Sequence, residues 1–186
     1  MKYFYKLILK VLGWKAMDPP APEPKCIILG VPHTSAWDFV ISFLYYRSMG
    51  ATAYVLVKKS FFKWPLGRIM KAMGAVPVDK TRGASLVRAV LEEFKNREYF
   101  HLAIAPEGTR KRVEKWKSGF HTIAKSAGVP VYLGYFDWGK KEVSRGEKIE
   151  LTDDVEADMK RIRQWYKDKG VQGKFPKLFT PGSDLK

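Results

Sequence analysis

Short apolar runs alternate with longer stretches of helical periodicity, and this alternation is the strongest constraint on the fold. The apolar runs predict strands over residues 26–31, 54–58, 75–78, 100–105 and 130–136, with edge strands over 142–143 and 148–151. The stretches between them predict helices over residues 36–49, 65–73, 85–96, 119–127 and 155–169. Strands joined by crossover helices pair in parallel, so the pattern predicts an α/β fold with a largely parallel sheet flanked by helices.

The length of 186 residues suits one domain with a hydrophobic core. Proline is frequent in residues 18–24, and the region from residue 170 onward is rich in Gly, Pro and Lys. We therefore expect an amphipathic helix and linker over residues 1–24, the main domain over 25–169, and an irregular tail over 170–186.

The charge balance is unusual, because 34 Lys and Arg residues stand against 19 Asp and Glu residues and leave a net charge of +15. Such an excess indicates an anionic partner: nucleic acid, an anionic membrane surface or a phosphorylated substrate. The single cysteine, Cys26, allows no internal disulfide and lies in an apolar run, which predicts a buried core residue. The sequence shows no metal-ligand cluster.

Residues 1–14 predict an amphipathic helix with a lysine stripe formed by Lys2, Lys6 and Lys10. A basic stripe opposite an apolar, aromatic face is typical of a helix lying in a membrane interface. A helix packed on its own domain, or a dimer contact, would show the same pattern. We expect no transmembrane span, and no signal peptide because Lys6 and Lys10 interrupt the apolar run.

Polar loops follow three of the predicted strands, where sites gather at the carboxyl edge of an α/β sheet. The first loop, residues 30–38, places His33 five positions before Asp38 at a strand-to-helix turn. This arrangement suits a base that takes a proton from an alcohol, with a carboxylate to orient it. A loop histidine followed by an aspartate in the first helical turn is the common structural alternative.

The other two loops are basic: residues 74–83, and residues 105–112 after the strand predicted at 100–105. In the last of these, the Glu107-Gly108 turn can present backbone amides, and Arg110 can grip a phosphate with two parallel hydrogen bonds. Lys111, Arg112, Lys115 and Lys117 add positive potential. A solvated basic loop is the alternative interpretation.

Other routes to catalysis lack their sequence signals. There is no Gly-x-Ser-x-Gly turn for a serine nucleophile, no Walker loop and no dinucleotide glycine fingerprint. His101 falls in a predicted strand and His121 on a predicted helix, and we interpret both as structural or surface residues.

Together these blocks resemble the glycerophospholipid acyltransferase family, typified by bacterial 1-acyl-sn-glycerol-3-phosphate acyltransferase. The His-x4-Asp box is matched by His33 and Asp38, and the Glu-Gly-Thr-Arg box by Glu107, Gly108, Thr109 and Arg110. Residues 74–82 match a looser glycine-to-arginine block, and residues 129–131 a Val-Pro-Val strand. The blocks keep the family's order over roughly residues 26–136.

The resemblance implies that His33 deprotonates the acceptor hydroxyl and that Asp38 orients His33. It implies that Glu107, Gly108, Thr109 and Arg110 bind substrate, with Arg110 on the acceptor phosphate. Lys58 occupies a position where the family often has a basic residue of the phosphate pocket. In the second block either Lys80 or Arg82 fills the arginine's role, because Lys80 follows Asp79 directly and Arg82 comes two positions later.

The implied function is transfer of an acyl group from acyl-CoA or acyl-carrier protein to a lysophosphatidate-like lipid, in phospholipid biosynthesis and without a resident cofactor. The implied partners are that lipid, the acyl donor and an anionic membrane surface, with no nucleic acid, and the implied location is peripheral on the cytoplasmic face of the membrane. Two alternatives stay open. One is an acyltransferase for glycerol 3-phosphate or an amino-lipid, and the other is a non-catalytic basic module that binds membranes or nucleic acid.

Overall fold

The computed structural model describes residues 1–79 and 83–182. The α-helices in this part of the chain are α1 (Lys2–Val11), α2 (Trp37–Ser48), α3 (Leu66–Ala72), α4 (Gly83–Asn96), α5 (Gly119–Ala127) and α6 (Val155–Lys169). The strands are β1 (Lys15–Ala16), β2 (Lys25–Leu29), β3 (Ala53–Lys58), β4 (Ala75–Val78), β5 (Phe100–Ile104), β6 (Val131–Tyr132), β7 (Tyr135–Asp137), β8 (Glu142–Ser144) and β9 (Lys148–Ile149). Two short 3-10 helices span Lys59–Phe61 and Pro176–Leu178.

Six of these strands form the main sheet, in the order β4-β3-β5-β2-β6-β9. Every pair in it is parallel except β6 with β9, so the predicted α/β fold with a largely parallel sheet is confirmed. The strand of the main sheet that comes first along the chain, β2, lies in the interior of this sheet between β5 and β6. Its last residue, Leu29, is paired with Ile104, the last residue of β5, so the loops that follow both strands leave the sheet side by side.

The strand predicted over residues 130–136 is two strands instead of one. β6 stays in the main sheet, whereas β7 pairs with β8 in a second sheet of order β1-β8-β7. The change occurs at Leu133 and Gly134, where Leu133 N donates to Glu147 O and Gly134 O accepts from Val31 N and from the Tyr166 hydroxyl. Because these bonds replace a regular ladder, β7 turns away from the main sheet and runs past the end of β2.

Two hydrophobic clusters lie on opposite faces of the sheet, and the side chains of β2 alternate between them. Ile27 and Leu29 join the cluster under α4, α5 and α6, while Cys26 and Ile28 join the one under α2. Each fully buried aliphatic side chain contributes about 1.5–3 kcal/mol relative to an exposed one. Cys26 is fully buried, which confirms it as a core residue, and burial raises the pKa of its thiol.

Helix α1 has three distinct faces. One face packs against α2, where Tyr5 meets the ring of Phe43 edge to face with 5.6 Å between the ring centroids and Leu9 is buried. A second face is apolar and exposed, and the third carries the predicted lysine stripe; the exposed apolar residues are Tyr3, Phe4, Leu7 and Val11. The alternative interpretation, a helix packed on its own domain, therefore holds for one face, and an apolar face remains available for another contact.

Within the residues that the structure describes, no helix combines the length and the apolar character needed to cross a bilayer.

Candidate active site

His33 and Asp38 meet at the carboxyl end of β2, as the resemblance to the His-x4-Asp box implies. Asp38 lies in the first turn of α2, and His33 lies in the loop that joins β2 to this helix. His33 Nδ1 is 3.2 Å from Asp38 Oδ2. The Asp38 side chain is only 1% exposed, whereas that of His33 is 29% exposed, so solvent and substrate can reach the imidazole but not the carboxylate.

The carboxylate of Asp38 is buried among hydrogen-bond donors. Oδ2 accepts from the backbone amides of Thr34, at 3.0 Å, and Ser35, at 2.8 Å, and Oδ1 accepts from the indole Nε1 of Trp138 at 2.8 Å. A buried carboxylate is costly unless such donors compensate for its lost hydration. The positive end of the α2 dipole favours a negative charge at the same place.

The orientation of the ring assigns a role to each nitrogen of His33. Since Nδ1 faces a carboxylate, it carries the proton of the neutral imidazole, and Nε2 keeps its lone pair. A base in this tautomer can accept a proton at Nε2 while the carboxylate stabilises the resulting imidazolium. The pair is thus arranged for general base catalysis on a hydroxyl group.

Glu107 reaches the same loop from β5. Gly30 N donates to Ile104 O at 2.9 Å, which joins the two strand ends, and His33 N donates to Glu107 Oε1 at 2.8 Å. The other oxygen, Oε2, is buried and has no hydrogen-bond partner among residues 1–79 and 83–182. Burial raises the pKa of Glu107 to about 7, although the hydrogen bond from His33 N acts in the opposite direction. The structure places this predicted substrate-binding carboxylate behind the His33 loop.

The rest of the Glu-Gly-Thr-Arg loop faces outward and is strongly basic. Gly108 has φ +67°, a backbone conformation that favours glycine, and the flexible side chain of Lys117 passes over it, with its Cδ 2.9 Å from where a Cβ would lie. Arg110 is exposed, and Thr109 Oγ1 accepts from Lys111 N at 3.2 Å. Several cations in one loop raise the local concentration of an anionic ligand.

Of the three remaining cations that were predicted to bind substrate, Lys58 is within the residues that the structure describes. Lys58 is the last residue of β3, is exposed and pairs with Val78 at the end of β4. Because β3 is next to β5 and parallel to it, Lys58 lies at the same edge of the sheet as the Glu107 loop. Lys80 and Arg82 lie outside the described residues, so the choice between them for the second-block role stays open.

Sequence reasoning did not identify Trp138 or Lys174 as residues of this site. Trp138 directly follows β7, and its indole donates to Asp38. Lys174 Nζ lies 4.9 Å from the centroid of the Trp138 ring and 5.1 Å from that of Trp37. The available signal for Trp138 was its position at the carboxyl end of a predicted strand; Lys174 lies in a region without periodicity and had no such signal.

The other two histidines are structural, as predicted. His101 is fully buried in β5, with its Nε2 2.7 Å from Glu23 O, and burial lowers its pKa. His121 pairs with Asp158 at 3.0 Å between α5 and α6, but both side chains are almost inaccessible, so this second His–Asp pair cannot reach a substrate. Across residues 1–79 and 83–182, no group of three or more His, Cys, Asp or Glu side chains could hold a metal ion.

Comparisons with known proteins agree with this geometry. A family model described as Acyltransferase matches residues 19–132, a range that contains His33, Asp38 and residues 107–110. No curated protein matches the chain. Among solved structures, the fold is similar to that of the 1-acyl-sn-glycerophosphate (LPA) acyltransferase PlsC from Thermotoga maritima, with a TM-score of 0.60 and 17% identity over 93% of this chain and 79% of that chain.

Proposed function

Since this chain belongs to the acyltransferase family, we propose that it moves a fatty acyl group from acyl-CoA or acyl-carrier protein to the hydroxyl of a lysophosphatidate-like glycerophospholipid. The observation that supports this most directly is the contact of 3.2 Å between His33 and Asp38, with the imidazole open to substrate. The base lies beside a cationic loop at one edge of the sheet, as a phosphorylated alcohol requires. We place the reaction in phospholipid biosynthesis.

His33 acts as a general base and then as a general acid. Its Nε2 takes the proton of the acceptor hydroxyl while the hydroxyl oxygen attacks the carbonyl carbon of the thioester. Asp38 stabilises the imidazolium formed in this step. When the tetrahedral intermediate collapses, the C–S bond breaks and the departing sulfur receives the proton back from His33. Charges and protons balance without a covalent acyl-enzyme or a resident cofactor.

The phosphate of the acceptor would bind at the cationic loop. Arg110 is exposed beside the turn of Gly108 and Thr109, and a guanidinium can hold two phosphate oxygens with parallel hydrogen bonds. Lys58 supplies a further cation from the end of β3. Lys80 and Arg82 are the two proposed contributors from the second block. The role of Glu107 in this scheme is to hold the His33 loop in place through the hydrogen bond that it accepts.

A peripheral attachment to the cytoplasmic face of the membrane would bring the enzyme to its lipid. The exposed apolar face of α1 lies next to the lysine stripe, which suits burial at the boundary of anionic headgroups and acyl chains. No acidic residue occurs between Asp38 and Asp79. That segment exposes four large apolar side chains, those of Phe61, Trp64, Leu66 and Ile69.

An acceptor and donor screen with purified protein tests the proposed activity. Lysophosphatidate, glycerol 3-phosphate and an amino-lipid are each combined with acyl-CoA and with acyl-carrier protein, and products are identified by mass spectrometry. We expect diacylated phosphatidic acid from lysophosphatidate. If only glycerol 3-phosphate or only the amino-lipid gives a product, the proposed acyl transfer stands but the proposed acceptor is wrong. No product from any pair would contradict the assignment.

Replacing Arg110 by alanine is expected to raise the KM for lysophosphatidate by about tenfold or more, because one charge-assisted clamp on the phosphate is lost. The rate constant kcat should change much less, since Arg110 does not contact the reacting hydroxyl in this scheme. Steady-state kinetics with the acceptor varied and the donor saturating measures both values.

Arg112→Ala provides the matched control for this experiment. Arg112 lies in the same loop and carries the same charge, but its guanidinium pairs with Glu114 at 3.3 Å. We expect a much smaller increase in KM for this variant. If both substitutions raise the KM equally, Arg110 contributes only to the general positive potential of the loop and does not clamp the phosphate.

Replacing Leu7 and Val11 together by glutamate is expected to weaken binding to anionic vesicles by at least about tenfold, since each side chain loses its apolar transfer energy and adds a repelled charge. Sedimentation with phosphatidylglycerol–phosphatidylcholine vesicles measures this. The matched control replaces Ala84 and Ala89 by glutamate, because both are exposed on α4, which packs on the opposite face of the sheet. Equal losses would mean that net charge alone governs binding.

A further inference from the structure

Trp138 holds one oxygen of the catalytic carboxylate, and its contact comes from outside the His33 loop. Its indole N–H donates to Asp38 Oδ1 at 2.8 Å, whereas His33 and two backbone amides approach Oδ2. A carboxylate whose two oxygens have separate donors cannot rotate about its Cβ–Cγ bond without losing hydrogen bonds. The indole therefore helps to fix the plane of the carboxylate relative to His33 Nδ1.

The ring of Trp138 is itself held on more than one side. Trp14, which follows α1, meets it edge to face with 4.9 Å between ring centroids, and Lys174 Nζ lies 4.9 Å from its centroid. The backbone amide of Trp138 donates to Gln172 O at 2.8 Å. These contacts leave the indole little freedom to move away from Asp38.

Residues 172–175, which we call the C-terminal brace, contact the His33 loop as well as Trp138. Gly173 is so close to Thr34 that a Cβ at this position would lie 2.6 Å from Thr34 Cγ2. Phe175 N donates to Thr34 Oγ1 at 3.3 Å. Lys174 Nζ lies over Trp37, 5.1 Å from its centroid, and so joins the start of α2 to Trp138. The brace thus connects the loop, the helix and the indole.

We propose that Trp138 is a positioning residue for the acyl-transfer reaction: its indole N–H orients Asp38 toward His33, and the C-terminal brace holds the indole in place. The inference rests on the proposed function, in which His33 is the base. It extends the site from two motif loops to a third element, the turn after β7, and to a segment near the end of the chain.

Trp138→Phe tests the hydrogen bond, because phenylalanine keeps an aromatic ring but has no N–H donor. We expect kcat to fall by about tenfold, in keeping with the loss of a hydrogen bond to a charged group, while the KM values of acceptor and donor stay within about twofold. In an Asp38→Asn background the same substitution should cost nothing further, because Trp138 acts through the carboxylate. A wild-type kcat for Trp138→Phe, or the same loss in both backgrounds, would overturn the proposal.

Trp116→Phe is the matched control. Trp116 is also buried, and its indole donates to a backbone carbonyl, that of Thr180, at 3.2 Å. We expect this variant to lose stability without the selective loss of kcat. A loss of kcat as large as that of Trp138→Phe, which likewise disappeared in the Asp38→Asn background, would assign both effects to general loosening of the fold and overturn the proposal.

Lys174→Met tests the brace with a half-buried residue whose loss the fold should tolerate. Removing its cation from the Trp138 ring is expected to lower kcat by about threefold, in line with one cation–π contact. This effect too should vanish in the Asp38→Asn background. If Lys174→Met keeps the wild-type kcat, the C-terminal brace does not hold the indole in place, and that part of the proposal is wrong.

A spectroscopic measurement separates failure of this inference from failure of the proposed activity. Assigned ¹H–¹⁵N spectra report each indole N–H, and Asp38→Ala should shift the Trp138 indole signal while that of Trp116 stays in place. This result is expected whatever substrate the enzyme uses. An unchanged Trp138 signal would show that the hydrogen bond to Asp38 is absent.

Discussion

Replacing His33 by alanine is expected to lower kcat for acyl transfer by about a thousandfold, within the range typical of a lost general base. Neither of the other two histidines can replace it, because both are buried and bonded elsewhere. Asp38 cannot substitute either, since its side chain is 1% exposed and its oxygens already accept several hydrogen bonds. Product formation at saturating donor and acceptor measures the effect.

The His33→Ala variant should remain folded, which makes the loss interpretable. The imidazole is 29% exposed and belongs to neither hydrophobic cluster, so its removal leaves the two core clusters intact. Thermal unfolding and vesicle binding close to those of the wild type provide the controls. Full turnover by a folded His33→Ala variant would eliminate His33 as the base and with it the proposed mechanism.

Replacing Glu107 by glutamine is expected to remove a large pH dependence of stability. The pKa of Glu107 is about 7 in the folded protein, against an ordinary value of 4.5, because the carboxyl group is desolvated. Below pH 4.5 the carboxyl group of Glu107 is protonated in both the folded and the unfolded protein. Between pH 4.5 and 7 only the unfolded chain releases this proton. The free energy of unfolding therefore falls as the pH rises through this range, by about 3 kcal/mol in total.

Urea unfolding at intervals from pH 4 to pH 8.5 tests this expectation. The difference in the free energy of unfolding between Glu107→Gln and wild type isolates the contribution of this one carboxyl group. From acidic to alkaline pH, the variant should gain about 3 kcal/mol relative to wild type. Glu98→Gln is the control, since Glu98 is exposed and its substitution should leave the pH profile parallel to that of wild type. Parallel profiles for Glu107→Gln would mean that the buried carboxyl group titrates normally.

Local pattern predicted the fold. The strands β2, β3 and β5 are short apolar runs and the helices α2 and α4 are longer stretches between strands, and all of them occur close to their predicted positions. The contact between His33 and Asp38 is also local, because a strand end and the next helical turn determine it. Spacing alone left the structural alternative open for this pair, and the Glu-Gly-Thr-Arg box with the family resemblance favoured the catalytic interpretation.

What the sequence did not reveal depends on distant pairing. Glu107 was expected to bind substrate, but which way its carboxylate points is decided by the pairing of β5 with β2, and it points to His33 N. Trp138 is not ionisable and matches no motif; its position after a predicted strand was a signal, but its contact with Asp38 depends on the path of β7 past β2. The contacts of Lys174 belong to an irregular segment whose position no periodicity predicts.

The N-terminal helix shows why one pattern can support two interpretations. Leu9 and Tyr5 lie on the side that packs on α2, which is the alternative interpretation, whereas Leu7 and Val11 are exposed on another side of the same helix. A wide apolar face can do both, because it covers more of the helix surface than one neighbour can bury. Membrane contact by the exposed part stays a prediction, which the vesicle experiment tests.

The interior position of β2 has a consequence for the biogenesis of the enzyme. The strand that leads to the base is synthesised early, but the groups that fix its loop come 74 residues later for His33 N and Glu107, 100 later for Asp38 and Trp138, and 141 later for Thr34 and Phe175. Contacts of such separation form slowly, because loop closure must precede them. A nascent chain that already contains both motifs therefore still lacks a finished catalytic centre, and it acquires one only after residue 175 has left the ribosome.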